Sequence, residues 1–162
     1  MSSARTILGI WVALLAFSAC APVLAQDRLA QAMEQYERET DPVKRARALV
    51  KVGEAQIELA SKQARTGEFV ASLDTLTRYR DQVRQTFDAL KATGIDAERK
   101  PRGFKELQIS LRRGIREIDH LILTLPTDRR PFFREIRGDL SDVQNALIDA
   151  LFPRRFGRPS NP

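Results

Sequence analysis

The sequence predicts an all-α fold: a four-helix bundle built from two antiparallel helical hairpins, with a short N-terminal helix beside it. Three observations lead there. After residue 26 the apolar residues recur every three or four positions, the period of a helix with one buried face. No segment sustains alternation of apolar and polar residues, so no sheet is expected. Thr66-Gly67, Gly94, Pro101-Arg102-Gly103 and Pro126 punctuate the periodic stretches where helices should stop.

Residues 1–25 read as a signal peptide. Arg5 is the one charge before an apolar run at 7–17, and Ser18-Ala19-Cys20-Ala21-Pro22-Val23-Leu24-Ala25 follows as a small-residue stretch. The run is too short to span about 30 Å of hydrocarbon. Pro22 is expected to stop the leader's helix, with cleavage after Ala25 and export to the periplasm or the extracellular space. A second cut is open: Phe17-Ser18-Ala19-Cys20 resembles a lipoprotein signal, in which Cys20 is lipidated and the product is membrane-tethered. Cys20 and Trp11 are the only residues of their kinds. A chain starting at Gln26 therefore has no disulfide and no thiol chemistry, and rests on its apolar core.

The bundle domain should occupy 26–152. A short first helix over 27–39 aligns Leu29, Met33 and Tyr36. Asp41 suits an N-cap and Pro42 the first position of a second helix over 42–65, whose stripe is Val43, Ala46, Val50, Gly53, Ile57, Ala60 and Ala64. Gly67 ends it as a left-handed cap. A third helix over 68–92 carries Phe69, Leu73, Leu76, Val83, Phe87 and Leu90, with Arg80 interrupting the seam. The short break at Thr66-Gly67 predicts that helices two and three fold back on each other. Residues 95–103 form a polar connection. A fourth helix over 104–125 repeats Phe104, Leu107, Leu111, Gly114, Ile118, Leu121 and Leu125, reinforced by Ile115 and Ile122. Thr127-Asp128-Arg129-Arg130-Pro131 reads as a turn before a fifth helix with Phe133, Ile136, Leu140, Val143, Leu147 and Ala150. Pro153 stops it, and 153–162 is expected to be a disordered basic tail.

No catalytic, cofactor or metal site is expected, and the chain is read as a non-enzyme. His120 is the one histidine, and on a helix it points away from the Ile118 stripe; Met33 reads as packing, and no Cys-x-x-Cys-His haem attachment exists. Glu117 stands three before His120, but this Glu-x-x-His occurs in one copy, where di-iron bundles need two. Glu54 and Glu58 read as an exposed flank. There is no Gly-x-Ser-x-Gly and no Gly-rich phosphate loop. Gly53 and Gly114 sit at seam positions, marking either close approach of two helices or a notch for a partner or small apolar ligand.

Charge is the positive signal. The formal net charge is +6, and loss of Arg5 with the leader removes one unit. Basic residues gather at Lys44, Arg45, Arg47 and Lys51; at Arg112, Arg113 and Arg116; at Arg99, Lys100, Arg102 and Lys105; and at Arg154, Arg155 and Arg158. The last two groups are the candidate contact for an anionic surface, with Phe132, Phe133, Phe152 and Phe156 near the tail; the alternative is a solvated rim with the Phe residues packed inward. The expected partner is a protein or an anionic component of the envelope. Nucleic acid is not expected in an exported protein, and a membrane only if Cys20 is lipidated.

Gly67-Glu68-Phe69 with Leu73 and Leu76 resembles the inter-helix turn of a tetratricopeptide repeat over a dozen residues, but the helices are nearly twice that repeat's length and no 34-residue period appears. Size, charge and export look like the small helical periplasmic chaperones; their Leu-Thr-x-x-Gln motif is absent, since Leu76-Thr77-Arg78-Tyr79 continues with Arg80. The stretch 41–152, including Arg99-Lys100-Pro101-Arg102-Gly103-Phe104-Lys105-Glu106-Leu107, is similar to an uncharacterised family of exported helical bacterial proteins. That resemblance implies no activity and transfers no functional residue. The expectation is a non-enzymatic exported protein that works through macromolecular binding in the cell envelope. One alternative is a holdase-like or envelope-stress chaperone, favoured by exposed Phe132, Phe133 or Phe152. The other is an enzyme whose carboxylates converge in a pocket.

Overall fold

The computed structural model describes residues 21–153. These form five helices and no strand: α1 (Ala21–Arg38), α2 (Pro42–Arg65), α3 (Phe69–Ala92), α4 (Phe104–Thr124) and α5 (Arg130–Leu151). None of them is long and apolar enough to cross a membrane. Most of the expected leader, residues 1–20, lies outside the described residues.

Helix α1 departs from expectation in length and place. It already includes Ala21 and Pro22, upstream of the expected cut after Ala25, so Pro22, expected to stop the leader's helix, is itself helical. Nor does α1 lie across the other helices or at one end; it runs beside α2 and α3. Tyr36 is 2% exposed and shares a hydrogen bond of 3.0 Å with Thr86 of α3, while the Arg45 guanidinium stacks 4.5 Å above its ring. Gln82 Nε2 donates to Met33 Sδ at 3.3 Å one turn further along.

Helix α2 starts as its sequence dictates. Asp41 Oδ1 accepts from Lys44 N at 2.8 Å, and Pro42 occupies the first turn. It ends at Thr66, with Gly67 at φ 84°. Val50, expected at the seam, is only partly buried; Leu49 and Val52 are buried instead. A helix packed on three neighbours must bury more than one stripe, and α2 packs against α1, α3 and α4.

Helix α3 carries two stripes. The apolar one holds buried Leu76, Val83, Phe87 and Leu90, with Phe69 and Leu73 at its edge. The second, unforeseen, is polar: Ser72, Thr75, Tyr79, Gln82 and Thr86 repeat with spacing 3-4-3-4. It faces α2 and α1, and most of its groups are satisfied. Ser72 Oγ donates to Ala60 O at 2.8 Å, and Thr75 Oγ1 bonds Gln63 Oε1 and Ala71 O at 2.9 Å. At the seam position where Arg80 is expected to intrude, Tyr79 fills the space at 1% exposure. Arg80 turns outward to Asp81 and to Asp139 of α5.

Every seam residue expected on the fourth helix is buried, from Phe104 to Leu125. Helix α5 begins inside the expected turn. Arg130 and Pro131 are already helical, and the Arg130 side chain donates to the last carbonyls of α4, Leu125 O at 2.9 Å and Leu123 O at 3.3 Å. Ala150 is part-buried, and Leu151 takes the core position.

Helix directions follow from the contacts. Arg47 with Glu106, and Glu54 with Arg113, set α2 and α4 running the same way; α3 and α5 meet at Arg80 with Asp139 and again where Asp88 and Ala146 line one hollow, so they also run the same way, and all three ion pairs are 59 residues apart. Gly53 faces Tyr79 while Ala60 meets Ser72, so α3 runs back along α2. Asp119 with Arg137 and Leu125 with Arg130 set α5 back along α4. Met33 with Gln82 and Tyr36 with Thr86 align α1 with α3.

Gly138, inside α5, has room for a side chain: a β-carbon placed there would meet nothing within 4 Å. Gly138→Ala should therefore stabilise the protein by about 0.5–1 kcal/mol, the helix-propensity gain alone, read as a raised urea midpoint. A lowered midpoint would mean that the open space beside α5 is filled in solution.

Candidate functional site

The expected anionic-surface contact lies at the end of the molecule where α2 and α4 begin and α3 and α5 finish. The 93–103 connection crosses that end as a braced loop. Thr93 Oγ1 donates to Leu90 O at 2.6 Å, Asp96 Oδ1 accepts from Glu98 N at 3.0 Å, and Lys100 N donates to Asp96 O at 2.8 Å. Ala97 is buried at 5% exposure beneath it. Gly103 closes the loop with φ 85°, and a β-carbon there would stand 3.2 Å from Val43 Cα. Only glycine meets both conditions without strain. Glu106 Oε2 then accepts from Gly103 N at 2.7 Å and opens α4.

This bracing turns Arg99, Lys100, Arg102 and Lys105 outward, all exposed. Arg99 reaches Asp96 at 3.5 Å; Lys100, Arg102 and Lys105 make no ion pair with another described residue. Asp96 and Glu98 are the loop's own acids, both already hydrogen-bonded or partnered. A cleft of about 360 Å³ opens here, lined by apolar Val43, Ile95 and Pro101 and by Arg99, Lys100 and Arg102. Arg154, Arg155 and Arg158 lie outside the described residues. The chain reaches Pro153 at this same end, because α5 runs with α3 and brings Ala146 beside Asp88. Of the other basic clusters, Arg47 pairs with Glu106 and Arg113 with Glu54, while Arg45 lies over Tyr36.

A second concavity, about 510 Å³, lies between α2 and α4, with Glu54, Glu58 and Glu117 on its walls and Ile57 and Gly114 at its floor. Gly53 and Gly114 are explained from below. A β-carbon at Gly53 would come 2.6 Å from the Tyr79 ring, and one at Gly114 would come 2.8 Å from Ile57 and 3.2 Å from the Tyr79 hydroxyl. The two glycines form the slot in which Tyr79 of α3 reaches between α2 and α4. Full burial drives the Tyr79 phenol well above its ordinary value; a hydrogen bond with Ser110 opposes this and the Glu54 charge adds to it. The notch is thus occupied by the chain's own side chain.

Glu54 of the carboxylate flank pairs with Arg113 at 3.1 Å, while Glu117 and His120 are exposed on α4. Among the described residues no group of three or more His, Cys, Asp or Glu is placed to hold a metal ion. Phe133 is buried at 1% exposure, and Phe132 and Phe152 are exposed at 52% and 71%. These two stand at opposite ends of α5, about 30 Å apart at 1.5 Å per residue, and form no common face. The apolar pattern alone misses Tyr79 and its slot; the available signal is the second 3-4 repeat on α3. No protein-family model matches the chain, and neither a curated protein nor a solved structure does.

Proposed function

We propose that this chain is an exported, non-enzymatic helical protein that acts in the cell envelope by binding an anionic macromolecule through its linker end. The reading includes removal of residues 1–25 and a four-helix bundle, in which hairpin α2–α3 packs on hairpin α4–α5 and α1 lies outside as a fifth helix. The observation that carries it is the set of Lys100, Arg102 and Lys105, exposed and without a carboxylate partner among the described residues, on a loop whose backbone is tied down, at the end from which the basic tail departs. Cations held on a rigid frame lose little conformational entropy on binding a polyanion. The holdase alternative keeps the support of exposed Phe132 and Phe152, although these two stand too far apart to share one apolar face.

Retention of the exported protein on an immobilised polyanion such as heparin tests the reading. Elution should shift to lower salt when Arg99, Lys100, Arg102 and Lys105 are all replaced by Ser, because exposed charge contacts are screened over about 8 Å at physiological ionic strength. Retention that ignores both salt and these substitutions would remove the linker end from the function. The intact mass of the exported product separates a Gln26 start from a lipidated Cys20.

A further inference from the structure

We infer that the linker end is a seat for the headgroup of an anionic phospholipid, and that the protein docks this end onto a bilayer surface without a covalent anchor. The inference rests on the proposed function and commits it to one partner. A polyanion such as a charged polysaccharide needs only cations. The cleft at the linker end has more: apolar Val43, Ile95 and Pro101 line it together with Arg99, Lys100 and Arg102. That lining suits a molecule that carries both a phosphate and carbon. At about 360 Å³ it is large enough for a headgroup with its glycerol and too small for an acyl chain pair.

Phe152 gives an independent pointer. It is 71% exposed, follows the last buried residue of α5, and stands at the same end as the cleft. An exposed aromatic at the same end as basic residues is the composition of a surface that enters the headgroup boundary, where the ring leaves water and the cations stay with the phosphates. The tail that carries Arg154, Arg155 and Arg158 begins at the next residue.

The geometry also separates this docking from a lipid tether. Helix α1 runs with α3 and so against α2, which places Ala21, the residue after Cys20, at the end away from the linker. A chain anchored through Cys20 would hold its linker end about 27 Å or more from the anchoring point, since α1 has 18 residues at about 1.5 Å each. Tethering and linker-end docking therefore orient the molecule in opposite senses.

The test is sedimentation with vesicles of phosphatidylcholine, with and without phosphatidylglycerol, beside heparin retention. The protein should sediment only with the phosphatidylglycerol vesicles, and should do so equally well as the Cys20→Ala variant. Replacing Arg99, Lys100 and Arg102 by Ser should weaken vesicle binding about a hundredfold, at roughly a factor of five for each cation near the surface, and should weaken heparin retention too. Phe152→Ser, at an exposed position where folding is not at stake, should weaken vesicle binding and leave heparin retention unchanged. A Phe152→Trp variant that also carries Trp11→Phe should shift its emission to the blue on phosphatidylglycerol vesicles. Heparin retention without vesicle binding would overturn the lipid inference and leave the broader reading standing; loss of both would overturn both. Vesicle binding that does not change with Phe152→Ser, or that is equal on neutral vesicles, would also overturn the lipid seat.

Discussion

Tyr79→Ala is expected to cost about 3–5 kcal/mol of folding stability, the range for an aromatic removed from a packed interior. The ring is 1% exposed and lies in a slot made by two glycines, so its removal leaves a void that the surrounding helix backbones cannot easily close. The coupled prediction is sharper. Gly53→Ala in the native background forces a β-carbon to 2.6 Å from a ring that is walled in on its other side by Gly114. Overpacking of this kind costs about 1–3 kcal/mol, against a helix-propensity gain of about 1 kcal/mol, so the protein should be destabilised. In the Tyr79→Ala background the clash is gone and the same substitution should stabilise. Urea denaturation of the four proteins measures the sign reversal as a coupling energy. If Gly53→Ala has the same effect with and without the ring, the slot does not explain the glycines.

Helix α4 is fully legible in the sequence because it has one apolar face and one solvated face, so a single 3-4 repeat describes it. Helix α3 is legible only in half. Ser72, Thr75 and Thr86 read as surface residues one at a time; they are buried because α1 and α2 supply partners for their polar groups, and partners in other helices are invisible to a local pattern. Pro131 misleads for a physical reason. As part of a turn it suggests the absence of helix, yet it lies in the first turn of α5, where a missing N–H removes no bond. The sequence therefore draws the turn before α5 too long, and it also places the first helix later than Ala21.

The candidate site is legible as a list of cations and not as a place. Val43 and the 95–102 loop come together because α4 lies beside α2 in the same direction, and Phe152 joins that end because α5 does the same beside α3. The offset of 59 residues common to three inter-helix ion pairs fixes this, although α2 with α3 and α4 with α5 show no repeat in their residues. Complementary charges set 59 apart can suggest the register only once the pairing of helices is known.

Tyr79 also carries a pH prediction. Its phenol is driven above the ordinary value near 10 chiefly by burial, with the Glu54 charge adding to the rise, so the folded protein holds it neutral where the unfolded chain would ionise it. Its contribution to stability is then complete below about pH 10 and is lost progressively as pH climbs above that value, since the unfolded state releases a proton that the folded state keeps. The urea midpoint should fall steeply above about pH 10. Tyr79→Phe keeps the ring in its slot and removes only the ionisable group and its bond to Ser110. It should cost about 1 kcal/mol at neutral pH, the value of one buried hydrogen bond, and should flatten the alkaline fall. Lysines titrate over the same range in both proteins, so the difference between the two curves isolates Tyr79. Parallel curves for the wild type and Tyr79→Phe would mean that the phenol reaches water between Gly53 and Gly114, and that the groove above it is open to its floor.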